Sequence, residues 1–309
     1  MDLKISVVTT LYYSENYISE FWSRVKQSIE QVTEKYEFVF VNDGSPDGSV
    51  QEVLDLQKED PRVILIDLSR NFGHHQAILT GLQYAQGEYV FLIDCDLEED
   101  PELFELFWKE ISKNQKADVV YGVQTRRKGN FVERTTGSLF YKILNLVTHF
   151  DYPANTLTAR LMRRDYVAAV LNFKEKAIDV WAIFVLAGFN QVGIPVAKKS
   201  KGSTTYTLSK KIKMSIEIMT SLSHRPLYSI FFLGLIWVFI SGINIVYILV
   251  QKWLYGAEIE GWASIMASLW LIGGVVIFLL GLIGIYLSKI FLEIKNRPLS
   301  IIKTIYRRQ

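Results

Sequence analysis

Apolar runs and helical patterns alternate along the first 125 residues of the chain. Buried strands are predicted where β-branched and aromatic residues run together, at 4–11, 36–42, 62–68, 87–94 and 117–123. Apolar residues recur at helical spacing between these runs, at 15–32, 49–59, 74–86 and 100–113. Repeated strand–helix units predict an α/β fold, with a mostly parallel, Rossmann-like sheet covered by helices on both faces. The pattern from 125 to 201 is mixed, with helices predicted at 133–150 and 177–189 and a strand at 190–199.

Uncharged stretches dominate the C-terminal third. Residues 226–251 and 262–288 carry no charge, and each stretch exceeds the roughly 20 residues that a membrane helix needs. We therefore predict a transmembrane hairpin at 226–288, after an α/β domain at 1–207. Residues 208–225 are predicted to form an amphipathic helix at the membrane surface, and the basic tail 289–309 to lie on the inner leaflet as well.

The distribution of charge predicts the orientation of the hairpin. Basic residues flank both uncharged stretches, whereas the linker 251–261 holds one lysine and two glutamates. By the positive-inside rule, the two flanks and the α/β domain are cytoplasmic. The overall charge of +2 gives no reason to expect nucleic-acid binding. The single cysteine, Cys95, excludes an intramolecular disulfide and is interpreted as a small, partly buried residue.

An acidic run follows the fourth predicted strand. Five of the seven residues at 94–100 are carboxylates. Asp94 and Asp96 are two residues apart just past a buried strand, so both side chains could turn to one point and bind Mg²⁺ or Mn²⁺, with Glu98 as a third ligand. Glu99 and Asp100 are instead predicted to cap a helix that begins at Pro101.

Two other strand ends carry polar residues. Asp43 ends the second strand in an Asp-Gly turn, where a carboxylate suits a nucleotide base or ribose; a plain turn is the alternative. Arg70 and Asn71 follow the third strand and precede a helix N-terminus, which suits an anion; a capped helix start is the alternative. In parallel sheets, ligands bind outside the carboxyl ends of the strands, so these segments are expected to lie together.

Taken together, the motifs resemble the family 2 glycosyltransferases of GT-A fold, and more narrowly the polyprenyl-phosphate glycosyltransferases. The matching segments are VVTTLYYSENYI, FVNDGSPDGS, LSRNFGHHQAILTGLQYAQGEYVFLIDCDLEEDPE and the HRPL entry to the C-terminal apolar stretches. The resemblance implies that Asp43 contacts the base and that Asp94 and Asp96 form the DxD motif holding metal and diphosphate. It also places Tyr12 and Glu15 in the first nucleotide-binding loop.

Some positions depart from the family pattern. Glu98 stands where the family usually has Gln, and Thr158 where an Asp is usual; Thr9 or Thr10 and Tyr13 replace Pro and Asn in the first loop. An acceptor phosphate is already anionic at pH 7, so it needs cations more than a general base. The candidates to hold it are Arg126, Arg127, Arg134, Ser138, Arg160, Lys199 and Lys201, of which two or three are expected to act. For each of them, a solvated or lipid-headgroup contact is the alternative.

The resemblance implies a metal-dependent, inverting sugar transfer from a nucleotide-diphosphate sugar, such as UDP-glucose, to polyprenyl phosphate at the bacterial inner membrane. A catalytically idle subunit that only binds nucleotide sugar is an alternative. A processive polysaccharide synthase is another, although the chain lacks the Arg-Trp dipeptide of that group. A second copy of the chain (in a homo-oligomer), a flippase and a downstream glycosyltransferase are the candidate protein partners.

Overall fold

The computed structural model describes residues 4–124, 156–175, 180–196, 220, 223, 225–255 and 261–308. The chain divides into two compact units. The first, here called the sheet unit, comprises Met1–Lys142, Phe150–Tyr206 and Arg297–Gln309. The second, the helical unit, comprises Ile143–His149 and Thr207–Asn296. The chain therefore returns to the sheet unit after the helical unit ends.

A single mixed sheet forms the centre of the sheet unit, with strand order β7-β5-β6-β4-β1-β2-β3-β8. Its middle strands β4, β1, β2 and β3 are parallel to one another, and β5 and β7 are parallel as well. Strands β6 and β8 run antiparallel to their neighbours. The strands are β1 Ile5–Leu11, β2 Tyr36–Asn42, β3 Val63–Leu68, β4 Tyr89–Leu92, β5 Val119–Gln124, β6 Thr156–Arg163, β7 Gln191–Val196 and β8 Ile302–Arg307. The predicted α/β fold is confirmed.

Helices cover both faces of this sheet and bury two apolar clusters. The helices are α1 Ile18–Glu30, α2 Ser49–Glu59, α3 His74–Tyr84, α4 Leu103–Lys113, α5 Arg164–Leu171 and α6 Val180–Leu186. On one face, Phe21 of α1 and Phe107 of α4 pack against β1, β2 and β4. On the other face, Leu82 of α3, Tyr166 of α5 and Phe184 of α6 belong to the second cluster. Each large buried side chain contributes roughly 1.5–3 kcal/mol, so these clusters hold the strand ends in place.

Strand β6 and helix α5 are not predicted by the sequence pattern. All of β6 except its two ends is buried, including Thr158 and Arg160. Polar and charged side chains inside a buried strand remove the apolar run that identifies the other strands. Cys95 is fully buried, more so than predicted, and burial raises the pKa of its thiol well above the ordinary range. That burial supports a packing role for Cys95.

The prediction that the whole tail 289–309 lies on the membrane surface is wrong for its last part. Residues 302–307 form β8, which pairs antiparallel with β3 and is the outermost strand on that side of the sheet. Half-buried and exposed side chains alternate along β8 with the period of a strand. Ile302, Ile305 and Tyr306 favour a strand in addition, because β-branched and aromatic residues suit a pleated, half-buried surface.

The helical unit contains two long helices, α7 Arg225–Tyr255 and α8 Trp262–Ile294. Within the described residues, one helical segment, Ser268–Ile294, is long and apolar enough to cross a membrane; its mean hydropathy is 2.5 and none of it is buried. One of the two predicted spans is therefore found by this criterion. The second span, and with it the hairpin, stays a prediction. The predicted interface helix falls almost wholly on residues outside the described ranges.

Candidate active site

The carboxyl ends of β1, β2, β3 and β4 meet at one edge of the sheet. The first loop leaves β1 there, Asp43 follows β2, Arg70 follows β3 and Asp94 follows β4. Hydrogen bonds join these segments, so the expectation that they lie together is confirmed. This edge is where parallel α/β sheets bind ligands.

Asp94 lies at the centre of a chain of polar contacts. Its Oδ2 accepts a hydrogen bond of 2.6 Å from the Thr158 hydroxyl, and its Oδ1 is 3.5 Å from His74 Nε2. The other ring nitrogen of His74, Nδ1, is 3.0 Å from Thr10 Oγ1. Sequence reasoning misses His74; the available signal is its position as the first residue of α3, directly after Gly73 at the end of the loop that follows β3.

The departure at Thr158 has a local explanation. A carboxylate at this position would face Asp94 at hydrogen-bond distance and repel it, whereas the neutral hydroxyl of Thr158 donates to it. Thr158 is also nearly buried, so this bond is largely shielded from water. The residue thus orients Asp94 within the site.

The first two aspartates of the acidic run have the chemistry of a divalent-cation site. Asp94 and Asp96 are both half-buried, and Asp96 Oδ1 accepts a 2.9 Å hydrogen bond from the Glu98 backbone N–H across a tight turn at Leu97, whose φ is 59°. Within the described residues, no group of three or more His, Cys, Asp or Glu side chains is placed to hold a metal alone. Mg²⁺ is commonly bound by one or two carboxylates together with substrate phosphates, so the Asp94 and Asp96 pair fits such an ion.

Asp43 holds the loop between β3 and α3. Its oxygens accept hydrogen bonds from the backbone N–H groups of Phe72, at 2.7 Å, and Gly73, at 3.0 Å. Burial raises the pKa of the Asp43 carboxyl, and these two donors oppose that rise. Asp43 is only 3% exposed, and these two hydrogen bonds account for the burial of its carboxylate. Contact between Asp43 and a nucleotide base stays a prediction.

Gly44 allows the same loop to approach the β2 end. Its φ is +63°, and an added Cβ would lie 2.5 Å from the backbone of Arg70 and Asn71. Only glycine fits such an approach without moving the loop. Arg70 itself is exposed; its Nη1 donates to the Asn71 carbonyl at 2.8 Å, and its guanidinium stacks 4.0 Å from the Phe72 ring centre.

The first loop is tied to the turn before α2. Tyr13 N–H donates to Ser45 Oγ at 2.8 Å, and Glu15 accepts from Gly48 N–H at 3.0 Å. Burial would raise the pKa of Asp47, but hydrogen bonds from Ser45, Ser49 and the Glu15 N–H hold that pKa at about 2. Glu15 therefore fastens the loop, whereas the neighbouring Tyr12 ring is exposed toward solvent.

Tyr13 adopts a left-handed backbone conformation, with a φ of 55°, that bulky residues rarely occupy. We expect Tyr13→Asn to be more stable than Tyr12→Asn by about 1 kcal/mol, because Asn tolerates the left-handed region that costs bulky residues energy. The two substitutions both remove the edge-to-face contact between the rings, so that loss cancels. Thermal unfolding of the purified variants would show a melting temperature higher by roughly 2–4 °C for Tyr13→Asn. Equal melting temperatures for the two variants would contradict backbone strain at Tyr13.

The predicted capping role of Glu99 and Asp100 is wrong. Helix α4 begins at Leu103, and Glu99 instead accepts hydrogen bonds from the N–H groups of Thr158, at 3.0 Å, and Ala159, at 2.6 Å. Asp100 forms an ion pair of 3.3 Å with Arg24 on α1. The sequence pattern does not reveal β6, so it gives no sign that the buried N–H groups of this strand need acceptors.

Arg160 lies inside the sheet unit, only 3% exposed. Its guanidinium stacks on the rings of Phe184, at 3.9 Å, and Trp181, at 4.7 Å, and its Nη2 donates to the Leu157 carbonyl at 3.2 Å. The burial and aromatic stacking of Arg160 favour a packing role over direct contact with an acceptor phosphate. The other predicted phosphate-binding residues lie outside the described ranges: Arg126, Arg127, Arg134, Ser138, Lys199 and Lys201.

Comparison with known proteins identifies the family. Residues 6–171 match the model of glycosyl transferase family 2. A protein of Mycobacterium tuberculosis described as a glycosyltransferase is 42% identical over 98% of this chain and 89% of its own length. The prophage-derived bactoprenol glucosyl transferase of Shigella flexneri is 30% identical over 99% of each chain.

A solved structure agrees on the fold. The mannosyltransferase PcManGT from Pyrobaculum calidifontis, determined in complex with GDP-Man and Mn²⁺, superposes with a TM-score of 0.51 over 72% of this chain and 64% of that one, at 16% identity. At that identity the likeness supports the GT-A fold alone. Family model, full-length relatives and fold agree, and the chain is therefore a glycosyltransferase belonging to glycosyl transferase family 2.

Proposed function

We propose that this glycosyltransferase moves a sugar from a nucleotide-diphosphate sugar, UDP-glucose or a related UDP-sugar, to a polyprenyl phosphate such as undecaprenyl phosphate. The observation that carries the proposal is the Asp94 and Asp96 pair at the ligand-binding edge of the sheet, in a chain that also holds a 27-residue apolar helix. The first feature suits a diphosphate with its cation, and the second suits an enzyme whose acceptor is a membrane lipid.

The relatives support the acceptor class. The bactoprenol glucosyl transferases of Shigella flexneri and of Shigella phage SfV are each 30% identical, and each aligns over nearly its whole length. Their alignment extends through the apolar C-terminal helices, so it is not confined to the sheet unit. A shared lipid acceptor explains why relatives would keep that second unit.

Asp94 and Asp96 would hold Mg²⁺ or Mn²⁺, with Glu98 as a further candidate ligand. Bound there, a divalent ion supplies charge neutralisation for the departing nucleoside diphosphate. Thr158 and His74 orient the Asp94 carboxylate, and the Glu98 N–H fixes the Asp96 carboxylate, so both side chains are set before the donor arrives. Tyr12 and Arg70 lie exposed on loops at the same edge, where they suit base and phosphate contacts.

The transfer itself needs no protein nucleophile. An oxygen of the polyprenyl phosphate attacks the anomeric carbon from the face opposite the leaving group. A carbon–oxygen bond to the lipid phosphate forms as the bond to the diphosphate breaks, which inverts that carbon. The attacking phosphate is already anionic at pH 7, so positioning and charge neutralisation are the enzyme's main tasks. Arg126, Arg127 and Arg134 are the cations proposed to hold the lipid phosphate.

The proposed setting is the bacterial inner membrane, with the sheet unit in the cytoplasm where nucleotide sugars are made. The basic flanks of the apolar stretches support this orientation. A flippase or a second glycosyltransferase would then use the product, because a polyprenyl-phosphate sugar formed on the inner face has to cross the membrane before use outside. An inactive subunit that only binds nucleotide sugar is the second candidate.

Radiolabelled donors would test the proposal directly. We expect the purified full-length chain, given undecaprenyl phosphate, Mg²⁺ or Mn²⁺ and a panel of UDP- and GDP-sugars, to move label from one donor into the organic phase. Omitting the lipid phosphate is the control and should abolish that label. Bound label without an organic product would favour the binding subunit, and a labelled polymer would favour a polysaccharide synthase.

A further inference from the structure

The segment that follows α8 in the chain is built into the sheet unit around the β3–α3 loop, residues 69–73. Leu299 and Ile302 pack against the apolar cluster beneath α3. Ser300 Oγ lies 2.7 Å from the nearly buried Thr80 hydroxyl of α3, and the Ile301 carbonyl accepts a 2.9 Å hydrogen bond from Ser69 N–H. The loop is thus held by Asp43 on one side and by residues 299–304 on the other.

A β-bulge places Lys303 at this point. Leu68 pairs with Ile302 and Asp67 pairs with Thr304, so Lys303 is the extra residue between two successive pairs. Bulges redirect a side chain that regular pairing would direct elsewhere. The Lys303 ammonium lies 3.4 Å from Asp67 Oδ2, although Lys303 itself is largely exposed.

Asp67 connects this lysine to the nucleotide-binding edge. Its side chain is only 8% exposed, and its other oxygen accepts a 2.8 Å hydrogen bond from Asn42 Nδ2. Asn42 Oδ1 in turn accepts the N–H of Ser45, whose hydroxyl receives the N–H of Tyr13 in the first loop. Replacing Lys303 by an uncharged residue would remove the cation beside this nearly buried carboxylate, so the network depends on Lys303.

We propose that residues 299–304 position the nucleotide-binding loops of the enzyme, with Lys303 as a positioning residue that acts through Asp67 and Asn42. The inference rests on the proposed use of a nucleotide sugar for its functional consequence. Lys303 does not touch the donor; it keeps the β2 and β3 loops in the binding arrangement. Donor binding therefore depends on a segment that lies beyond α8 in the chain.

Hydrogen exchange and kinetics of Lys303→Met test this role. Without nucleotide, we expect the amides of Tyr13 and Ser45, where the network ends, and those of residues 69–73 to exchange about three- to tenfold faster than in the wild type. With donor, we expect KM for the nucleotide sugar to rise about three- to tenfold, while kcat and KM for the lipid phosphate stay within about twofold. Lys303→Arg should restore both values, because it keeps the cation.

Arg307→Met is the matched control. Arg307 lies on the same strand and faces another buried carboxylate, Glu37, which is 3% exposed and 4.0 Å away. That pair lies at the opposite end of β8, so its loss should leave loop exchange and donor KM unchanged. Unchanged loop exchange in Lys303→Met, or an equal change in Arg307→Met, would overturn the positioning role. If the wild type binds no nucleotide and forms no lipid product, the proposed function is wrong, and the exchange data alone decide whether Lys303 supports the loop.

Discussion

Replacing Asp96 with Ala should lower the rate of sugar transfer about 10³-fold, equivalent to ~4 kcal/mol of lost transition-state stabilisation. The substitution removes one of the carboxylates proposed to bind the metal, beyond the end of the strand where the diphosphate is proposed to leave. It also removes the acceptor for the Glu98 N–H, so part of the loss could come from the turn at Leu97. Turnover of radiolabelled donor to organic-phase product at saturating lipid phosphate measures the effect.

Asp96→Asn separates the two causes. Asn keeps an oxygen that accepts the Glu98 N–H, but it loses the charge that a divalent cation needs. We expect it to be nearly as inactive as the alanine variant while keeping the wild-type melting temperature. Asp55→Asn is the control, since Asp55 is exposed on α2 and pairs with Lys58. If Asp96→Asn retained more than about a tenth of wild-type turnover, the proposed metal-binding role would be wrong.

The fold could be predicted wherever local pattern and tertiary surroundings agree. Strands β1 to β5 follow from apolar runs because parallel strands covered on both faces need apolar residues throughout. Strand β6 breaks this rule, since Thr158 bonds to Asp94 and Arg160 stacks on aromatic rings. The hydrogen-bond acceptor of Thr158 and the aromatic rings that stack on Arg160 are all distant in sequence, and a single chain gives no signal for such partners.

The same limit applies to the site. The positions of Asp43, Arg70 and Asp94 could be predicted, because a strand end is a local feature and parallel strands end at one edge. The contacts that fix them could not: His74 reaches Asp94 from α3, and Lys303 reaches Asp67 from far along the chain. The tail is ambiguous for a related reason, because a basic, apolar segment fits a membrane surface and the outer strand of a sheet equally well.

Glu99→Ala tests the largest structural contribution within the acidic run. We expect a loss of about 2–4 kcal/mol in the free energy of unfolding, because the N–H groups of Thr158 and Ala159 would lose a buried, charged acceptor. The melting temperature should fall by roughly 5–15 °C. Because β6 places the Thr158 hydroxyl beside Asp94, sugar transfer should also fall at temperatures where the variant is still folded.

Glu98→Ala is the matched comparison for this experiment. Glu98 is adjacent to Glu99 and half-buried, and it is proposed as a metal ligand. With EDTA present to remove any effect of bound metal, its melting temperature should stay within about 2 °C of the wild type. If Glu99→Ala unfolds no more readily than Glu98→Ala, then Glu99 does not hold β6 in place. A large difference would separate Glu99, which holds the strand β6, from Asp94, Asp96 and Glu98, which are proposed to serve the chemistry.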